Sequence, residues 1–177
     1  QGFVADILGV NWRPDSIFHG LLTGSREDLT AVHATYATRA YRNLSAELPG
    51  IIDVTCHTTL HCTVVKIDKQ YEGHAQQAIL KVFATNPYYN FACMVVDTDI
   101  DIHDLNEVWW AFLTRGRIDK RTMLIGDIPG GYEYDSNNIH RGRIGIDATA
   151  PYGRLRDFER TTTPGEDSVN LADYLAN

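Results

Sequence analysis

The chain has 177 residues with 44% hydrophobic and 22% charged content and a net charge of −7. That size fits one domain able to bury roughly two-thirds of its unfolded surface, and the acidic balance argues against nucleic acid, which needs clustered Lys and Arg to displace counterions. No apolar run approaches the roughly 20 residues of a membrane span, no secretory leader pattern is visible, and three cysteines, an odd number, fit a reduced cytoplasmic protein better than a disulfide scaffold.

Residues 1–24 mix Gly, Pro14 and Trp12 and read as an entering strand and linker. The chain starts Gln1-Gly2 without Met, which points to a fragment, a processed product or a tag remnant. Ser25, with Asp28 three residues on, is a good helix N-cap. From there Leu29, Val32, His33, Tyr36, Ala37, Ala40, Tyr41 and Leu44 recur at helical spacing, and Pro49-Gly50 stops the helix. Ile51–His57 and Leu60–Asp68 are rich in Thr, Val, Ile and Cys and read as strands. A second helix, from about Glu72 to Thr85, carries Ala75, Ala78, Ile79, Val82 and Phe83 on one face. Phe91–Val96 is apolar at successive positions, as a parallel strand buried on both faces would be.

A third helix, Asp104 to Arg115, puts Leu105, Val108, Trp109, Phe112 and Leu113 on one stripe, so Trp109 and Phe112 are expected against the preceding strand. Thr122–Ile125 is the next strand, residues 126–141 read as a Gly- and Asn-rich loop, and Arg143–Ile146 as an edge strand. Residues 150–165 form a polar connector, and Glu166–Ala176, with Val169, Leu171, Tyr174 and Leu175, suits a short amphipathic tail helix. The succession predicts an α/β fold, a mostly parallel sheet with right-handed βαβ crossovers and flanking helices.

Four groups could carry chemistry. Asp97, Asp99, Asp101 and Asp104 follow a strand's carboxyl end, where α/β sheets usually present their sites. As a calcium loop they fail twice, since Ile102 stands where Gly is needed and Val108 where a bidentate Glu is needed. Helix capping by Asp104, with Glu107 as the reciprocal partner, is favoured over metal binding. Cys56, His57, His61 and Cys62 offer zinc-type ligands in the wrong spacing, and neighbours on a strand point to opposite faces. A Cys–His nucleophilic pair would draw on Cys56, Cys62 or Cys93, but a thiol inside an apolar strand is inert. In the loop IPGGYEYDSNN, residues 128–138, Gly130-Gly131 permits unusual backbone angles beside Tyr132, Glu133 and Tyr134. No Gly-x-Ser-x-Gly, G-x-G-x-x-G or P-loop pattern occurs.

The block MVVDTDIDIHDLNEVWWAFLTR, Met94 to Arg115, followed about thirty residues later by GIDAT, Gly145 to Thr149, resembles the C-terminal domain of the UbiD family, decarboxylases that use prenylated FMN. PDSIFHGLLTG (Pro14 to Gly24) and YEGHAQQ (Tyr71 to Gln77) fall in the matching order. The resemblance implies a carboxy-lyase of α,β-unsaturated, aromatic or heteroaromatic acids. Its flavin, manganese and potassium sites and its Glu–Arg–Glu constellation would lie in a preceding flavin-binding domain, so no catalytic, cofactor or metal residue is expected in this chain. Residues 1–24 would then be the linker from that domain, 25–149 the α/β domain and 150–177 the connector and tail. The implied work is to cover the active site, to move against the flavin domain and to form a homo-oligomer. The resemblance brings Tyr132, Glu133 and Tyr134 toward the substrate side, whereas Gly145, Asp147 and Thr149 are expected to fix a turn. The alternatives are a non-catalytic assembly or regulatory subunit, or a small metal-binding protein.

Overall fold

The computed structural model describes residues 4–57, 61–85, 90–126, 128, 142–161, 163–165, 168–170 and 174. Its elements are α1 (Arg26–Ser45), β1 (Ile51–His57), β2 (Cys62–Ile67), α2 (His74–Thr85), β3 (Ala92–Val96), α3 (Leu105–Arg115), β4 (Thr122–Ile125) and β5 (Arg143–Asp147), with a 3-10 turn at Leu155–Phe158. The strands form one sheet in the order β1-β2-β3-β5-β4. β2, β3 and β5 are parallel, while β1 and β4 run antiparallel to their neighbours.

Local chemistry sets the boundaries. The Ser25 hydroxyl accepts from Asp28 N at 3.3 Å, and the Asp28 carboxylate accepts from Gly24 N at 2.9 Å, so α1 starts on a reciprocal cap. Past α1, Gly50 turns the chain at φ 68°, and its carbonyl takes Asp68 N at 2.7 Å. An added Cβ there would run into Asp68 O, so only glycine suits the turn.

The sheet is covered on both faces. On one, α1 and α2 bury Leu44, Val54, Val65, Ile67, Ile79, Val82 and Val95; on the other, α3 and the loop before it bury Val64, Val96, Ile100, Ile102, Val108 and Ala111. Each fully buried Val, Leu or Ile stabilises the fold by about 1.5–3 kcal/mol relative to exposure. Cys93, Met94, Val95 and Val96 are all buried, which is the double-sided coverage expected of β3.

Four expectations are corrected. β5 is interior, between β3 and β4, and β4 is the edge. Among the described residues β2–α2–β3 joins parallel neighbours through a single helix, whereas the path from β3 to its parallel neighbour β5 runs through α3 and the antiparallel β4. No strand forms in residues 4–24, and Val4, Ile7, Leu8, Trp12, Ile17 and Phe18 stand exposed. The inward stripe of α3 is Val108, Ala111 and Arg115; Phe112 packs half-buried against the same core as expected, while Trp109 and Leu113 face out at 43% and 74% exposure. Residues 129–138 of the predicted loop, with Tyr132, Glu133 and Tyr134, and most of the predicted tail helix lie outside the described residues.

Candidate functional site

At the carboxyl edge of the parallel strands, Arg115 gathers two of the predicted acids. Its guanidinium is fully buried and donates to Asp97 Oδ2 at 2.8 Å and to Asp99 at 2.7 and 2.5 Å. It lies 5.1 Å from the Trp110 ring centre and 5.8 Å from that of Phe158. Asp97 Oδ2 also accepts from Ala150 N at 2.7 Å. Burial pushes the Asp97 carboxyl up, outweighing the hydrogen bonds from Ala150 and Arg115. The Arg115 hydrogen bond holds Asp99 below its ordinary value. Asp101 accepts from His103 N at 2.9 Å and Asp104 caps α3 through Asn106 N at 2.8 Å. Glu107 does not reach back to close a capping box; both its oxygens take Arg160, whose guanidinium sits 4.0 Å over Trp110. The acids thus serve the backbone and one arginine.

GIDAT leaves the same edge. Gly145 lies under α2, where an added Cβ would collide with Ile79. Asp147 Oδ1 accepts from Thr149 N and Oγ1 at 3.0 and 2.6 Å, and Oδ2 from Gln76 at 3.0 Å. Beyond it Arg121 holds Thr149 O, Lys69 holds Ala150 O at 2.9 Å, and Glu72 accepts from Tyr152 N at 2.7 Å. Residues 148–160 are therefore a strap clamped across the sheet's end. The cleft left beside Asp97, Lys69, Thr98 and Tyr152 measures about 180 Å³, below the about 300–1,000 Å³ of ligand sites. α3, whose N-terminus lies at this edge, spends an N-terminal amide on its own cap, Asp104. The 180 Å³ cleft is too small to enclose a flavin.

The opposite edge buries a second polar group. His33 Nε2 and His61 Nδ1 meet at 3.3 Å, Thr63 donates to Asn90 at 2.5 Å, and the Arg143 guanidinium lies 5.1 Å over Phe91. The zinc candidates do not converge. His57 is engaged with Ile102 O at 2.8 Å, and Cys56 and Cys62 face opposite sides of the hairpin. Burial lifts the Cys56 and Cys62 thiols to about 11 and about 12, and Cys93 well above its ordinary value, which removes thiolate nucleophilicity. Among the described residues no three His, Cys, Asp or Glu side chains are placed to hold a metal. Sequence reasoning missed Arg115 and the His33–His61 pair. The visible signal for Arg115 was its place on the Val108–Ala111 stripe, which forces a charged side chain inward.

The sequence pattern of the 3-octaprenyl-4-hydroxybenzoate carboxy-lyase C-terminal domain matches residues 30–148. The anhydromevalonate phosphate decarboxylase of Methanosarcina mazei is 33% identical over 169 residues, 92% of this chain and 39% of the relative. That of Methanocaldococcus jannaschii is 32% identical over 155 residues, 84% of this chain and 37% of the relative. The UbiD-class enzyme HmfF from Pelotomaculum thermopropionicum, solved in complex with FMN, superposes with a TM-score of 0.77 at 30% identity, covering 85% of this chain and 35% of that one. The chain thus spans under two-fifths of these relatives' length, and with its matching sequence pattern and fold it belongs to the UbiD carboxy-lyase C-terminal domain family.

Proposed function

We propose that this chain serves as the C-terminal domain of a prenylated-FMN-dependent decarboxylase. The carrying observation is the agreement in sequence and fold with UbiD-class enzymes along residues 30–148. Such an enzyme acts in the cytoplasm on an α,β-unsaturated, aromatic or heteroaromatic carboxylic acid. The curated relatives, named for anhydromevalonate phosphate, favour an acid of the first type. Prenylated FMN supplies the electron sink for carbon–carbon cleavage. Flavin, manganese and potassium belong to a preceding domain, and this chain contributes a rigid cover, hinged at its entering segment, and a surface for self-association.

Two features support that division. The carboxyl edge is closed by the strap, and the cleft beside it is small for a flavin. The apolar side chains of residues 4–22 are left for another surface to cover, more than scattered single residues would leave. The test is to make the full-length product of the natural gene with prenylated FMN and to measure carbon dioxide release from anhydromevalonate phosphate and from aromatic acids. Activity in the full-length protein, with no flavin retained by the 177-residue chain through gel filtration, is expected. Flavin that stays with the 177-residue chain, or a full-length protein that neither binds flavin nor releases carbon dioxide, overturns the assignment.

A further inference from the structure

His33 and His61 come from elements 28 residues apart and meet as ring against ring, Nε2 to Nδ1 at 3.3 Å, with centroids 5.1 Å apart at 75°. His33 is 1% exposed, on the N-terminal half of α1. His61 holds the far end of the β1–β2 hairpin at φ 44°, a left-handed conformation that non-glycine residues rarely keep without support. Its carbonyl accepts from Phe91 N at 3.0 Å and its ring meets Phe91 edge-on at 5.6 Å. Both imidazoles are thus held in place, and the contact between them joins α1 to the start of β2 and β3.

One proton between the rings suits this contact, since a neutral imidazole is donor at one nitrogen and acceptor at the other. Two cations at that separation repel, and burial penalises even one. Of the ionisable groups on the neighbouring elements, β1 presents Cys56 beside Thr63, and β5 presents Arg143 over the Phe91 ring, a further positive charge. α1 contributes Tyr36 one turn along from His33. The segment before α1 is exposed throughout residues 4–22, so the seating of α1 determines where that segment leaves the domain.

We propose that the His33–His61 pair is a proton-operated clasp on the N-terminal half of α1. Docked, the pair accepts one proton at most; undocked, both rings are free to take one. Acidification therefore favours release of this half of the helix and frees the direction of the entering segment, while the sheet core stays intact. Burial lowers both imidazoles, and the proximity of His61 lowers His33 further, which has the sign the clasp requires.

Hydrogen exchange by mass spectrometry on the 177-residue protein, corrected for the intrinsic rate, tests it between about pH 7.5 and 5. Protection of amides in residues 29–36 should fall about tenfold per pH unit below about 6.5 for each extra proton taken up, with β3 unchanged. His61→Gln, which keeps a side-chain hydrogen-bonding group but does not titrate, should flatten that dependence. His33→Gln should do the same and serves as the second variant. If α1 protection follows β3 at every pH, or if its fall is as large in His61→Gln as in the parent, the clasp is excluded.

Discussion

Gly145 passes beneath α2, and a methyl group in place of its hydrogen would overlap Ile79 Cγ2. Gly145→Ala should cost about 1–3 kcal/mol, the usual penalty for overpacking, read as a lowered denaturant midpoint; a midpoint within error of the parent would mean α2 yields at no cost. Arg115 makes the converse case. Arg115→Ala leaves Asp97 facing a buried void without its counter-ion, and about 3–5 kcal/mol should be lost in chemical denaturation. Asp97→Asn should cost less, because burial already disfavours its charge. The two acids respond to pH in opposite senses. Asp99, held low by Arg115, contributes stability above its unfolded value near ~3.9 that is lost as pH falls through its folded one. Asp97, raised, contributes stability in acid that is lost as pH rises through its folded value. Asp99→Asn should therefore flatten the acid limb of a stability–pH curve, and an unchanged limb would detach Asp99 from Arg115. GIDAT could be read as a structural turn because Asp147 and Thr149 bond locally; the role of Asp97 could not, because its partner Ala150 lies 53 residues away.

Helix boundaries were legible in the sequence and helix faces only partly. Ser25 and Asp104 cap α1 and α3 as their spacing foretold, and the α2 face from Ala75 to Phe83 is buried throughout. α3 misled because Leu105, Val108, Trp109, Trp110, Ala111, Phe112 and Leu113 are apolar nearly all round, so two stripes fit one helix. The buried ion pair selects the stripe ending in Arg115. In this chain Trp109→Ala should shift stability by under about 1 kcal/mol, as surface changes do, whereas Ala111→Leu, at a site with no exposure, should cost about 1–3 kcal/mol. The reverse order in thermal melts would restore the rejected face. Among strands, the antiparallel β1–β2 pair follows from a connection too short for a crossover, a signal that the alternation of strands and helices obscured. β5 was expected at an edge, yet it lies between β3 and β4, and its end residues Arg143 and Asp147 are buried, at 2% and 1% exposure.

For the molecule as a whole, two helices on one face of a five-stranded sheet and one on the other make a self-supporting body, so the α/β domain should stay folded without its ends. The ends differ in character. Val169 and Tyr174 in the tail are 59% and 74% exposed, and the strap delivers the chain to the outer side of α3 through Arg160. Self-association through the tail predicts that removing residues 164–177 lowers the mass seen by light scattering while the melting temperature changes little; equal masses would assign any association to another surface.

The strap also determines how the molecule bears load. A pull on the C-terminal tail meets the Arg160–Glu107 pair first, at the surface, where it can be shed without disturbing the core. The next resistance is the row at Phe158, Tyr152 and Ala150, ending on the buried Asp97–Arg115 pair. β5 lies behind that row, held on both sides by β3 and β4 rather than exposed at an edge. A pull on the tail is thus taken up by the clamp before it reaches the sheet.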